Sequence, residues 1–347
     1  MISTPPSRLT CRMILVLCLG TFWTLSEQVQ ETQIVYEVQS RYQYITVRDT
    51  PTGYRQLIFD GRFDGSDAIQ SEMNLSDHYE LSLSYARHIM TALPAAAKLK
   101  RILIVGLGGA CMQRYLYRLL PEAVIETAEI DADVRDIAAR YFFFKEDLRQ
   151  VVHMGDGRTF IENSKDKYDI IFLDAFSATS IPYRLATQEF LKLVRDRLAD
   201  GGLACANLWD AEADYPNMLK TYDSVFPELH LVKCSFSGNS ILLAFPENRG
   251  LTNAGWMEKA AAFEKTHPTG LDLPQLISRG AAETVHIPEN ARILFDKSRS
   301  TTITSTNWLE YDYLPTDFSI IDYDRHKAQS LPASESAMIH ANLRNQG

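Results

Sequence analysis

The stretch from Arg101 to Asp131 limits what this chain can fold into more than any other. An apolar run, Ile102 to Val105, ends in Gly106, Gly108 and Gly109. Tyr115, Leu116, Leu119 and Leu120 then recur at helical spacing, and a second apolar stretch closes on Glu129. Strand, glycine turn, helix, strand and acid, in that order, form the first unit of a nucleotide-binding α/β sheet. Glycines let the backbone approach a ligand where a Cβ would clash. The acid is placed to accept hydrogen bonds from a ribose diol.

The alternation continues. Val134 to Phe144 reads as a helix, and Val151 to Met154 as a strand before Gly155-Asp156-Gly157. A helix from Arg158 leads to the strand Tyr168 to Leu173, which ends on Asp174. Residues 175–186 read as a loop with Ser177, Ser180 and Pro182. Thr187 caps a helix that stops at Gly201-Gly202, and Leu203 to Leu208 is the next strand. Pro216 to Val225 is helical, and 229–234 with 241–245 form a closing pair of strands. Such alternation predicts a mostly parallel sheet with helices on both faces and an antiparallel last strand.

The flanks differ in pattern. Residues 34–38, 43–47 and 55–59 are rich in β-branched and aromatic side chains, with a turn at Pro51-Thr52-Gly53. Residues 60–73 read as loop, and a helix is expected from Ser76, capped by Ser76 or Asp77 with Glu80 beyond, carrying Leu81, Tyr85, Ile89 and Met90. Beyond the sheet, 256–263 and 274–279 read as helices, the second capped by Asp272 and stopped by Gly280. The resulting division is a leader (1–30), an antiparallel β domain (31–75), a nucleoside-binding catalytic domain (76–250), a helical and irregular extension (251–325) and a polar tail (326–347).

The leader places Arg8 and Arg12 before an apolar run from Met13 to Trp23. That pattern fits an export signal or a membrane-attached leader, and is short for a spanning helix. A cytosolic donor nucleotide, argued below, favours the cytoplasm instead. A net charge of −9 and a pI near 5.4 offer nothing to offset phosphate repulsion, so no nucleic-acid partner is expected. Arg135, Arg140, Lys145 and Arg149 read as a solvated helix face. The five cysteines form no CxxC pair and have no histidines at zinc spacing, so no metal is expected. Cys111, Cys205 and Cys234 read as reduced thiols in or near the core.

Three acids, Glu129, Asp156 and Asp174, end successive strands. Ligands of open parallel sheets bind at the carboxyl ends of strands. One such acid alone can be a helix N-cap, but three in a row behind a glycine turn predict one pocket. Glu129 is assigned to ribose hydroxyls, Asp156 and Gly157 to the base edge, and Asp174 to the reacting group. A hydride-transfer site fits less well, because Gly106-Leu107-Gly108-Gly109-Ala110-Cys111 lacks the third glycine of G-x-G-x-x-G.

These residues resemble the spermidine synthase family, a branch of the class I methyltransferase-like Rossmann fold. The likeness is carried by Tyr42-Gln43, Leu57-Ile58-Phe59-Asp60-Gly61, Tyr85, Val105 to Gly109, Glu129-Ile130-Asp131, Gly155-Asp156-Gly157 and Leu173 to Ser177. Gln70-Ser71-Glu72-Met73 and Ser180-Ile181-Pro182 look like the bacterial spermidine-synthase-like group, which includes forms fused to transporter segments. The resemblance implies transfer of an aminopropyl group from decarboxylated S-adenosylmethionine to an amine acceptor such as putrescine, with a homodimer by analogy. It implies Gln43 and Glu129 on the nucleoside, Asp156 on adenine, Gly106, Gly108, Gly109 and Gly157 in the donor cradle, Asp174 as the base, and Tyr85 and Ser177 on the acceptor side.

The chain departs from the family pattern at Gly109, where an acid grips the donor's amine, at Ser177, where a second acid holds the acceptor's far amine, and at Ala86, where a glutamine stands. Glu72, Asp77 or Glu80 are the acids that could substitute. A glycine at 109 also tolerates a donor with its carboxylate intact, so methyl transfer from S-adenosylmethionine to an unknown acceptor is a second reading. A non-catalytic nucleoside-binding protein is the third.

Overall fold

The computed structural model describes residues 31–59, 68–177, 180–235, 237–282 and 284–296. The chain divides after Asp296. The leader, the Asp60-Gly61 part of the family motif and everything from 297 to the tail lie outside the described residues.

β1 (Gln33–Gln39), β2 (Tyr44–Asp49), β3 (Tyr54–Phe59) and β4 (Ala68–Asn74) form an antiparallel sheet in chain order. Its first three strands lie where β-branched alternation puts them, and Gly53 turns the β2–β3 corner at φ 83°. The fourth corrects the loop expected over 60–73. Glycine and aspartate dominate the first half of that segment, but Ser71 and Met73 alternate inward and pair with β3. The helix expected from Ser76 is also absent. The Asp77 carboxylate accepts from Tyr79 N at 3.0 Å in a local turn, and Glu80 bonds back to Asn74 rather than closing a capping box. Helix α1 (Ser84–His88) starts later and passes directly into a 3-10 segment, Ile89–Ala95.

The second sheet is built from β5 (Arg101–Val105), α2 (Cys111–Leu119), β6 (Val124–Glu129), α3 (Ala132–Tyr141), β7 (Gln150–Met154), α4 (Gly157–Asn163), β8 (Tyr168–Leu173), α5 (Gln188–Asp196), β9 (Leu198–Trp209), α6 (Tyr215–Asp223), β10 (Glu228–Lys233) and β11 (Asn239–Phe245). Its seven strands run in the order β10-β11-β9-β8-β5-β6-β7. β7, β6, β5, β8 and β9 are parallel, while β11 is antiparallel to both β9 and β10, as the closing hairpin predicts. Central strands covered on both faces must be apolar throughout. Ile102, Leu103 and Ile104 of β5 and Ile170, Ile171 and Phe172 of β8 are accordingly fully buried.

Each sheet face carries its own core. A third core joins the two sheets: Ile45, Val47, Leu57 and Met73 pack against Val134, Ile137 and Phe142 from the α3 side. Past β11, α7 (Asn253–Glu264) and α8 (Leu273–Gly280) close one face, with Asp272 capping α8 as expected. Trp256 is fully buried, and its indole N–H donates to Thr91 O at 2.9 Å. Cys111, Cys205 and Cys234 are free thiols. Among the described residues no helix is long and apolar enough to cross a membrane.

Candidate active site

The strand order reverses at β5, whose neighbours are β6 on one side and β8 on the other. Crevices open at such points, outside the carboxyl ends of the strands. Gly106 follows β5 at φ 103°, and a Cβ there would stand 2.4 Å from the Asp174 carbonyl oxygen. Asp174 N in turn donates to Val105 O at 3.0 Å. The glycine turn and the residue after β8 are thus packed backbone to backbone, which only glycine allows.

Glu129 ends β6 and is buried. Its two oxygens accept from Leu107 N at 2.9 Å and Asp131 N at 2.8 Å, so it ties the glycine turn to the start of α3. Burial pushes its carboxyl up to about 7 against the lowering effect of these bonds. Each oxygen retains a lone pair for a ribose hydroxyl. Asp131, not Glu129, caps α3, and its other oxygen accepts from Ser40 Oγ at 2.6 Å. Ser40 Oγ also accepts from Gln43 N at 3.1 Å, which brings the β1–β2 turn and Gln43 beside the Glu129 end of the crevice.

Asp156 does cap a helix. One oxygen accepts from Thr159 N and Thr159 Oγ1, both at 2.8 Å, and lies 3.3 Å from an Arg184 nitrogen. Gly157 begins α4 flush against Val105, where a Cβ would be 2.5 Å from a valine methyl. All of these contacts fall on Oδ1, so the cap leaves Oδ2 of this carboxylate unused.

Asp174 lies half-buried beyond β8 and caps nothing. Desolvation pushes its carboxyl up to about 7, and the Asn207 amide, donating to Oδ1 at 2.9 Å, works against that rise. Tyr85 on α1 donates its hydroxyl to Gln70 O at 3.0 Å. Burial first, then Asp174 and Cys111, push its phenol far up, so it stays a neutral donor beside the carboxylate. Ser177, expected on the acceptor side, donates its hydroxyl to Ser180 O at 2.9 Å within its own loop.

The departures have a structural counterpart. Gly109 N donates to Ser71 Oγ at 2.8 Å. A Cβ at 109 would meet Ser71 Cβ and a Phe142 ring carbon, each at 2.9 Å. The space an acidic side chain would enter is therefore filled by β4 and by the residue after α3. The substitutes proposed from sequence are engaged elsewhere: Glu72 accepts from Gln56 at 2.7 Å, Glu80 from Asn74, and Asp77 from Tyr79 N.

Two residues escaped the sequence reading. Glu212 accepts from Ile181 N at 3.4 Å, on the loop that carries Ser177, and burial raises its carboxyl. Its place in an irregular turn after β9 left no periodic signal. Asn207 was detectable in principle, as the polar residue within the apolar run Leu203 to Leu208, one strand beyond Asp174.

A family model described as the spermine/spermidine synthase domain matches residues 83–235. A polyamine aminopropyltransferase of Vibrio vulnificus is 31% identical over 273 residues, covering 78% of this chain and 90% of the relative. A probable spermidine synthase structure from Corynebacterium glutamicum superposes with a TM-score of 0.61 at 20% identity, over 78% of this chain and 99% of that one. A spermidine synthase solved with the transition-state analogue AdoDATO gives 0.51 at 21% identity, over 62% of this chain and 74% of that one. The two structures share the fold, and the Vibrio relative matches at 31% identity over most of both chains: the chain belongs to the polyamine aminopropyltransferase, or spermidine synthase, family.

Proposed function

We propose that the protein transfers an aminopropyl group from decarboxylated S-adenosylmethionine to a small amine and releases methylthioadenosine. The observation that carries this reading is the Asp174 carboxylate, set against the glycine turn and raised to about 7 by burial. An amine acceptor is protonated at neutral pH and must lose a proton before it attacks. Asp174 takes that proton, the nitrogen lone pair forms the new N–C bond, and the C–S bond breaks with its electron pair returning to sulfur. Much of the acceleration comes from holding the two substrates in line. Glu129 and Gln43 hold the nucleoside, Asp156 and Gly157 face the base, and Tyr85 closes the acceptor side.

The test is incubation of the full-length protein with decarboxylated S-adenosylmethionine and putrescine, following methylthioadenosine. Its formation, lost in Asp174→Asn, supports the proposal. S-adenosylhomocysteine formed from intact S-adenosylmethionine, with no methylthioadenosine from the decarboxylated donor, would replace it by methyl transfer. The glycine at 109 is what keeps that second reading in view, since no acid in the turn repels a donor carboxylate.

A further inference from the structure

We propose that Asn207, oriented by Asn239, is a positioning residue that presents the Asp174 carboxylate to the acceptor amine. The inference rests on the aminopropyl-transfer reading. Asn207 lies near the end of β9, beside the strand that Asp174 follows, and is 3% exposed. Its Nδ2 donates to Asp174 Oδ1 at 2.9 Å. Its own Oδ1 accepts from Asn239 Nδ2 at 3.0 Å. Asn239 opens β11, the next strand along the sheet, and stands two register steps from Asn207. That end of the hairpin is pinned by Asp210 N to Gly238 O at 2.8 Å and Cys234 N to Asn239 O at 2.9 Å.

A side-chain amide has one donor end and one acceptor end. With the acceptor end taken by Asn239, the donor end of Asn207 must face Asp174. Asp174 Oδ1 is thereby fixed. Among the described residues the other oxygen has no protein partner, which leaves it for the amine proton. Behind Asn207 lies an apolar hollow of about 20 Å³ bordered by Val105, Leu173, Ala206, Leu208, Met218 and Tyr222. In such a setting a hydrogen bond to an ion is strong and an unpaired carboxylate is costly. The relay thus favours the ionised form of Asp174, against burial, which favours the neutral acid.

The titratable groups facing Asp174 are Tyr85 from α1 and Cys205 from β9. Burial pushes both well above their ordinary values, so both stay neutral over the range in which Asp174 titrates. A pH-dependent change there reports Asp174 itself.

The experiment uses the full chain with 13C-labelled aspartate carboxyls, the Asp174 signal being assigned by its loss in Asp174→Asn. Asn207→Leu, which keeps the branching at Cγ and removes the donor, is expected to raise the Asp174 titration midpoint by about one to two pH units. The acidic limb of kcat for methylthioadenosine release moves with it. Asn239→Ala, one residue removed, moves both in the same direction by less. Methylthioadenosine affinity stays unchanged in both variants, as a loss of general packing would not predict. An unmoved Asp174 midpoint in both variants overturns the proposal. Should Asn207→Leu fail to fold, Asn239→Ala decides alone. The carboxyl titration needs no turnover, so a wild-type protein that releases no methylthioadenosine with any amine overturns the functional reading separately.

Discussion

At the scale of single residues, the site depends on which side chains are missing as much as on which are present. Gly106 has no alternative, since a Cβ would be 2.4 Å from Asp174 O and the backbone sits at φ 103°. Gly106→Ala is expected to cost about 2–4 kcal/mol from the clash and the conformation together, read from urea unfolding. Asp174→Asn is expected to lower kcat by roughly 10²–10⁴-fold with little change in donor binding. Wild-type turnover should fall as pH drops through about 7, because the base works only when ionised and its carboxyl is raised to that value. A rate flat from pH 6 to about 8 would argue that Asp174 is not the base. The cap reading holds for one of the three acids. Asp156 caps α4, while Asp174 caps nothing and Glu129 leaves the capping of α3 to Asp131.

Between elements, buried polar links decide the geometry. Glu126 on β6 accepts from Arg101 on β5 at 2.7 Å and from His153 on β7 at 2.9 Å. Burial alone would raise its carboxyl, but the bonds from His153 and Arg101 outweigh that and hold it below its ordinary value. A carboxyl depressed in the folded state adds stability above its unfolded pKa, and that contribution is lost as pH falls through the folded value. Glu126→Gln is therefore expected to destabilise the protein at neutral pH and to matter less toward pH 4 and below, where the wild type loses the same term. About 1 kcal/mol is expected, since Arg101 and His153 are over a third exposed and solvent screens them. Paired urea titrations at the two pH values check it. On the opposite side, Trp256→Ala should cost about 3–5 kcal/mol, because it removes a fully buried indole and leaves Thr91 O without its donor.

For the whole molecule, a formal charge of −9 meets substrates that are cations under the proposed reaction. kcat/KM for decarboxylated donor and diamine should fall as salt rises from low to physiological strength, measured by methylthioadenosine release; a salt-independent value would remove long-range attraction from the account. The doubly covered sheet was legible because buried parallel strands must be apolar and the turns between them need glycine or capping residues. The glycine turn, Glu129, Asp156 and Asp174 followed from that same grammar. What stayed hidden were pairings between distant segments. β4 reads as a glycine- and aspartate-flanked loop until β3 supplies its partner. Asn207 becomes interesting only when Asn239 and Asp174 stand on either side of it. The bond from the Ser177 hydroxyl to Ser180 O is a local choice that residue type does not announce.

The crowding at 109 has an evolutionary consequence. Ser71, Phe142 and Gly109 share one volume, although they lie on three separate segments of chain. An aspartate introduced at 109 alone meets both neighbours and is expected to be lost in a selection, whatever it would do for the donor's ammonium. The same aspartate becomes tolerable once 71 and 142 carry smaller side chains. Acceptance of an acid at 109 is therefore epistatic: a library varying the three positions together can reach an acid in the turn, while one varying 109 by itself should return glycine.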